Sequence, residues 1–153
     1  MITQVQPSRQ DESGKQLVDA FIAASQALVE IAADALSAFG EEITLSQYRA
    51  LEVLASRGPQ RAADLSDALG VTPGTGSRMI ERLIRKQLVL RSRSREDRRA
   101  TFVHLTNAGR RLVERASDRR RQEIVQILNE LPDGAALVSA MVAFAQAAEL
   151  SGR

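Results

Sequence analysis

Between Arg78 and Arg99 the chain carries Arg78, Arg82, Arg85, Lys86, Arg91, Arg93, Arg95, Arg98 and Arg99 against only Glu81, Glu96 and Asp97. Guanidinium groups concentrated in this way raise the local potential and can pair bidentately with phosphate or with the O6/N7 edge of guanine. The first third of the chain runs the other way, with Arg9, Lys15 and Arg49 outnumbered by Asp11, Glu12, Asp19, Glu30, Asp34, Glu41, Glu42 and Glu52. A formal net charge of +2 therefore conceals a sorted distribution. A charge run is also what an ordinary solvated face looks like, so the elements around it have to decide its meaning.

Other chemistry is thinly provided for. With no cysteine, disulfides, thiolate metal sites and thiol redox switching are excluded, and the single histidine, His104, leaves no cluster for zinc, so neither cofactor nor metal is expected, although carboxylate sites stay open. There is no Gly-x-Ser-x-Gly elbow and no nucleophile set beside a plausible base, and His104 falls in a β-type run where a structural role fits it better. Gly74-Thr75-Gly76-Ser77 lacks both a preceding strand and a following Lys-Ser/Thr pair, which argues against a nucleotide phosphate loop. The chain does not read as an enzyme. Its five aromatics, Phe21, Phe39, Tyr48, Phe102 and Phe144, are too few for platforms that stack unpaired bases, so a nucleic-acid partner would be duplex DNA.

The elements that would position these cations follow from periodicity and capping. From Lys15 to Phe39 apolar residues recur at steps of three and four (Val18, Ile22, Val29, Ala32, Leu36), and Leu17, Phe21, Leu28 and Ile31 widen the stripe, which predicts a long helix with much to bury. Thr44-x-x-Gln47 is a capping box opening a second helix that Gly58-Pro59 ends. Arg61–Leu69 reads as a short helix closed by Gly70. Thr72 at an N-cap and Pro73 at the first helical position then open another, running to about Gln87. Leu88–Leu90 and Thr101–Leu105 are short β-type runs around the polar loop Ser92–Ala100, a hairpin with a long tip. Thr106 caps a long helix over Asn107–Leu131, and after Pro132-Asp133-Gly134 a last helix carries Leu137, Met141, Phe144 and Ala148.

A short helix, a tight turn, a capped second helix and an arginine-tipped hairpin make a winged helix-turn-helix, in a fold that is mainly α with a small β-hairpin wing. The second helix of such a pair enters the major groove N-terminus first, where free amides and small polar side chains meet base edges and phosphates. Thr72, Thr75, Ser77, Arg78 and Arg82 are the candidate contacts, with Met79, Ile80, Leu83 and Ile84 on the core side. Gly74 and Gly76 loosen the helix and remove side chains from its leading edge, shifting base reading toward Ser77, Arg78 and Arg82. The hairpin tip, Arg93-Ser94-Arg95-Glu96-Asp97-Arg98-Arg99, can reach the backbone or the minor groove, with Arg95, Arg98 and Arg99 the candidate contacts and Asp97 bracing Arg99 through a charge-assisted hydrogen bond. The plain alternative is a solvated turn that touches nothing.

Over nearly its whole length the sequence resembles the MarR family of bacterial regulators. The resemblance is carried by Leu45-Ser46-Gln47-Tyr48-Arg49-Ala50-Leu51, by Ala63–Val71, by Glu81-Arg82-Leu83 running into Leu88-Val89, and most specifically by Asp97-Arg98-Arg99 followed by Leu105-Thr106-Asn107-Ala108-Gly109. It implies a cytoplasmic homodimer whose first and last helices interlock, a recognition helix in the major groove and Arg99 as the wing contact. It also implies a near-palindromic operator and repression relieved by a small-molecule effector, whose pocket residues are unknown; Tyr48, Arg49 and the surroundings of Ile22 are possible lining, with Tyr48 better placed as core. On this scheme residues 1–12 are a disordered tail and 13–153 a single domain, in which 13–43 and 107–153 dimerise and 44–106 form the winged helix. No uninterrupted run of 18 apolar residues and no signal peptide appear, so no membrane partner is expected. The wide stripes of the terminal helices fit dimerisation, though a stripe at helical spacing can equally be intramolecular core. The competing function is a winged-helix module that binds protein without reading DNA.

Overall fold

The computed structural model describes residues 9–37, 43–93, 101–131 and 134–150. Its elements are α1 (Arg9–Ser37), α2 (Leu45–Arg57), β1 (Gln60–Arg61), α3 (Ala62–Ala68), α4 (Pro73–Arg85), β2 (Val89–Arg93), β3 (Thr101–Leu105), α5 (Asn107–Asn129) and α6 (Gly134–Leu150). The predicted caps form. The Thr44 hydroxyl accepts from the Gln47 amide at 3.2 Å while the Thr44 amide donates to Gln47 Oε1 at 3.4 Å, and α2 stops at Gly58, whose φ of 75° is open to glycine.

The elements differ from the sequence expectation in several places: β2 runs on to Arg93, so Ser92 and Arg93 are strand rather than loop, and α4 stops at Arg85 rather than about Gln87. Helix α1 begins at Arg9 rather than Lys15, so the last residues of the stretch predicted as a disordered tail, Arg9 to Glu12, are helical. Their polarity removes the apolar periodicity without lowering helix propensity, which is high for Arg, Gln and Glu. The hairpin also gains a third strand. β1 pairs antiparallel with β3 in the registers Gln60 with Val103 and Arg61 with Phe102, giving the sheet order β1-β3-β2. Two residues carry no period, so only the tertiary partner makes them a strand.

The core lies in the winged-helix half. Tyr48, Leu51 and Leu54 of α2, Leu65 of α3, Met79, Ile80 and Leu83 of α4, Leu88, Val89 and Val103 of the sheet and Leu112, Val113 and Ala116 of α5 are buried together. Only the end of α1 reaches this region, through Ala32, Ala35 and Leu36. Leu17, Val18, Ile22 and Val29 of α1, Ile127 of α5, and Val138, Val142 and Phe144 of α6 remain at least half exposed. Phe21 and Phe144 stack with centroids 4.5 Å apart, joining α1 to α6. By length and mean hydropathy alone Glu12–Ser37 could cross a membrane. Spanning would place Asp19 in hydrocarbon at a cost of about 2.5–3.5 kcal/mol at the centre, and α1 packs against α5.

A candidate nucleic-acid interface

The turn between α3 and α4 sets the geometry. Gly70 adopts φ +64°. The Gly70 amide donates to the Asp67 carbonyl at 3.0 Å and the Val71 amide to the Ser66 carbonyl at 3.1 Å, the paired bonds of a Schellman close. Helix α4 follows at once. Thr72 is extended, its hydroxyl accepts from the Thr75 amide at 3.4 Å and donates to the Thr75 hydroxyl at 3.0 Å, and Pro73 opens the helix. Pro73 has no amide hydrogen and the Thr75 and Gly76 amides are taken by Thr72, so the Gly74 amide is the one left at this exposed N-terminus, where the helix dipole favours anions.

Around α4 the two faces separate cleanly. Gly76, Met79, Ile80 and Leu83 are buried, whereas Thr72, Gly74, Thr75, Arg78, Glu81, Arg82 and Arg85 are exposed. Thr72, Thr75, Arg78 and Arg82 thus come together on one solvent face, as the sequence predicts. Ser77 sits at the edge of that face, half-buried, and Ile84 is only partly buried. Gly76 departs from the expectation. It is not on the leading edge at all, because its position follows the i, i+3/i+4, i+7 row through Met79, Ile80 and Leu83 into the core. Only Gly74 leaves the leading edge bare, and there Arg78 Nε donates to the Gly74 carbonyl at 3.2 Å, laying the guanidinium along the start of the helix.

The hairpin carries the cationic surface on. Arg91 and Arg93 are exposed on β2; Arg93, expected from the sequence in the hairpin tip, is instead the last residue of the strand, and Arg91, part of the charge run but not an expected contact, lies two residues before it. The last described pair of the hairpin is Arg93 with Thr101. Arg95, Asp97, Arg98 and Arg99 lie outside the described residues, and with them the Asp97–Arg99 brace. Across the hairpin Ser92 Oγ and His104 Nε2 are 2.6 Å apart, in keeping with a structural role for the one histidine.

Two clefts flank α4. One, of about 560 Å³, is lined by Ile43, Thr44, Gln47, Arg82, Arg85 and Lys86. The other, of about 430 Å³, shares Thr44, Gln47 and Arg82 and adds Thr75 and Arg78. Tyr48, a possible pocket residue, is instead core at 2% exposure, its hydroxyl 3.3 Å from that of Ser117 on α5. Burial pushes the Tyr48 hydroxyl above its ordinary value of 10.0, with neighbouring Glu52 adding to the shift and Ser117 and Arg120 opposing it.

Residues 43–101, which hold α2, the helix-turn-helix and the first strand of the hairpin, match the MarR family. Over its length the chain superposes on RV1404 from Mycobacterium tuberculosis with a TM-score of 0.81 and 32% identity, covering 95% of this chain and 98% of that one. The chain belongs to the MarR family. Among curated relatives of the MarR-family chain, the uncharacterized HTH-type transcriptional regulator YpoP of Bacillus subtilis is 24% identical over 82 residues, 54% of this chain and 58% of the relative. The chain spans about half the length of the curated relatives it matches. A mutant of S. aureus MepR bound to an oligodeoxyribonucleotide shares the fold, with a TM-score of 0.65, 23% identity and coverage of 90% and 98%.

Proposed function

We propose that this MarR-family chain acts in the cytoplasm as a homodimer that binds a near-palindromic double-stranded operator and regulates transcription there, as a repressor released by a small-molecule effector. The observation that carries the reading is α4, whose capped N-terminus is free and whose Thr72, Thr75, Arg78 and Arg82 share one exposed face while the opposite face is committed to the core. A helix so arranged offers an amide, hydroxyls and guanidinium groups to a duplex groove without disturbing its own packing. DNA bound to the fold-sharing MepR mutant supports the assignment. Ser77, Arg95, Asp97, Arg98 and Arg99 complete the proposed contact set.

Dimerisation is supported by exposed apolar surface: Leu17, Val18, Ile22 and Val29 of α1, Ile127 of α5 and Val138, Val142 and Phe144 of α6 are at least half exposed in the single chain, a larger apolar surface than a monomer usually leaves to solvent. Two-fold symmetry would present two α4 helices to half-sites about one helical turn, roughly 10 base pairs, apart. Release by an effector rests on the family resemblance.

Selection of bound fragments from randomised duplex DNA by the purified chain, followed by affinity against salt for the recovered sequence, tests this. A near-palindrome is expected, with log affinity falling against log salt by about 0.9 per phosphate neutralised. Enrichment of no duplex would overturn the reading in favour of a protein-binding winged helix.

A further inference from the structure

Gly76 is the first residue of the buried face of α4, directly over Ser66 of α3. A Cβ added at Gly76 would fall inside the van der Waals envelope of Ser66 Oγ, 3.0 Å from Ser66 Cβ and 3.5 Å from its Cα. Ser66 cannot simply swing aside. It is 1% exposed, its hydroxyl donates to the Ala62 carbonyl at 2.7 Å, and its own carbonyl accepts the Val71 amide that closes the turn. One residue therefore holds the end of α3, the turn and the approach of α4. We propose that Ser66 and Gly76 are a positioning pair: the missing side chain at 76 receives the Ser66 hydroxymethyl, and this fit sets the angle at which α4 presents Thr72, Thr75, Arg78 and Arg82.

The argument from packing is directional. Beyond Gly76, α4 is held to the core by Met79, Ile80 and Leu83; on the other side of it stand the exposed Thr72, Gly74 and Thr75. An atom inserted at 76 wedges the helices apart at the N-terminal half while the C-terminal half stays anchored, so the displacement falls on the end that would meet base edges. Contacts to base edges tolerate little misplacement, whereas attraction between cations and phosphates is diffuse. The pair thus governs selectivity more than total affinity. This inference rests on α4 being the DNA-reading helix.

The test uses the full chain, the duplex recovered by selection and a random-sequence duplex of the same length. Gly76→Ala is expected to lose roughly tenfold or more on the selected duplex while its affinity for the random duplex, set by phosphate attraction, changes less than about twofold. A purely structural lesion lowers both together and leaves their ratio alone. The exchange Ser66→Gly with Gly76→Ala moves the bulk from α3 to α4 and is expected to restore the ratio to within about threefold of the parent. Should Gly76→Ala fail to fold, the exchange alone decides. An unchanged ratio in Gly76→Ala, or an exchange that does not restore it, overturns the proposal. A parent chain that selects no duplex overturns the proposed function instead.

Discussion

Glycines in this chain do different work at different positions, and the differences can be tested residue by residue. At Gly74 only the Arg78 guanidinium comes within 4.0 Å of an added Cβ, so Gly74→Ala restores helix propensity without a clash and should stabilise the fold by up to about 1 kcal/mol. At Gly109 an added Cβ would collide with the Leu88 backbone carbonyl and stand 3.0 Å from Leu105 Cδ2. Backbone cannot turn away as a side chain can, and Gly109→Ala should destabilise by about 1–3 kcal/mol or more. Urea unfolding of both variants checks the pair, opposite signs being the expected result. Recognition residues divide in the same manner: Arg78→Ala should change which operators are preferred, and Arg99→Ala should weaken binding to all of them. Repeating the selection with each variant reads this directly, and equal, sequence-blind losses would sink the division.

Between elements, the joint of α2 with α5 ties the winged helix to the terminal helices. Tyr48 meets Ser117 at 3.3 Å, and one turn along Glu52 pairs with Arg120 at 3.1 Å. Both members of the ion pair are about a third exposed, so solvent screens it and it contributes little. The buried phenol matters more. Because its folded pKa is raised above 10.0, the stability it contributes is fully present below about pH 10 and is lost as pH rises past that point, where the unfolded chain gives up the proton first. Tyr48 is the only tyrosine and there is no tryptophan, so phenolate absorbance reports this one group; its midpoint should lie above 10.0 in the folded chain and return to the ordinary value in denaturant. The α5 end of the hairpin is a second joint. The Thr106 hydroxyl accepts the Gly109 amide at 3.0 Å and lies 2.7 Å from the Gln87 carbonyl, to which it donates, so Thr106→Ala should cost about 1–2 kcal/mol in thermal unfolding. The Leu105-Thr106-x-x-Gly109 pattern thereby acquires a physical reason: a cap that also clasps the end of α4, beside a glycine that must pass close to Leu88.

For the molecule as a whole, the surface of α1, α5 and α6 is the outstanding feature. Val18 and Ile22 are 57% and 50% exposed in the single chain, on the face that the proposed partner copy would cover. If the chain is the proposed dimer, Val18→Glu with Ile22→Glu should dissociate it or leave it unable to fold, since obligate dimers often have no stable monomer. Sedimentation equilibrium at micromolar concentration distinguishes this from the opposite result, a parent chain that is monomeric and a variant that is unaffected.

Much of this architecture was legible in the sequence because its signals are local. Thr44, Thr72 and Thr106 each announced a helix start, Gly58 and Gly70 each marked a stop, and apolar periodicity showed which side of α4 faces inward, since capping and amphipathicity act within one or two turns of backbone. What required tertiary structure was whatever depends on a neighbour distant in the chain. β1 is a strand only because β3 lies beside it. Arg9 to Glu12 belong to a helix although no apolar stripe marks them. Gly76, which from its neighbours alone looks like a loosened leading edge, is a seat for Ser66. Sequence determined the order of the elements and the sign of the charge on the exposed face of α4. How closely α3 and α4 approach was decided by packing, because steric fit between two side-chain volumes exists only once the helices cross.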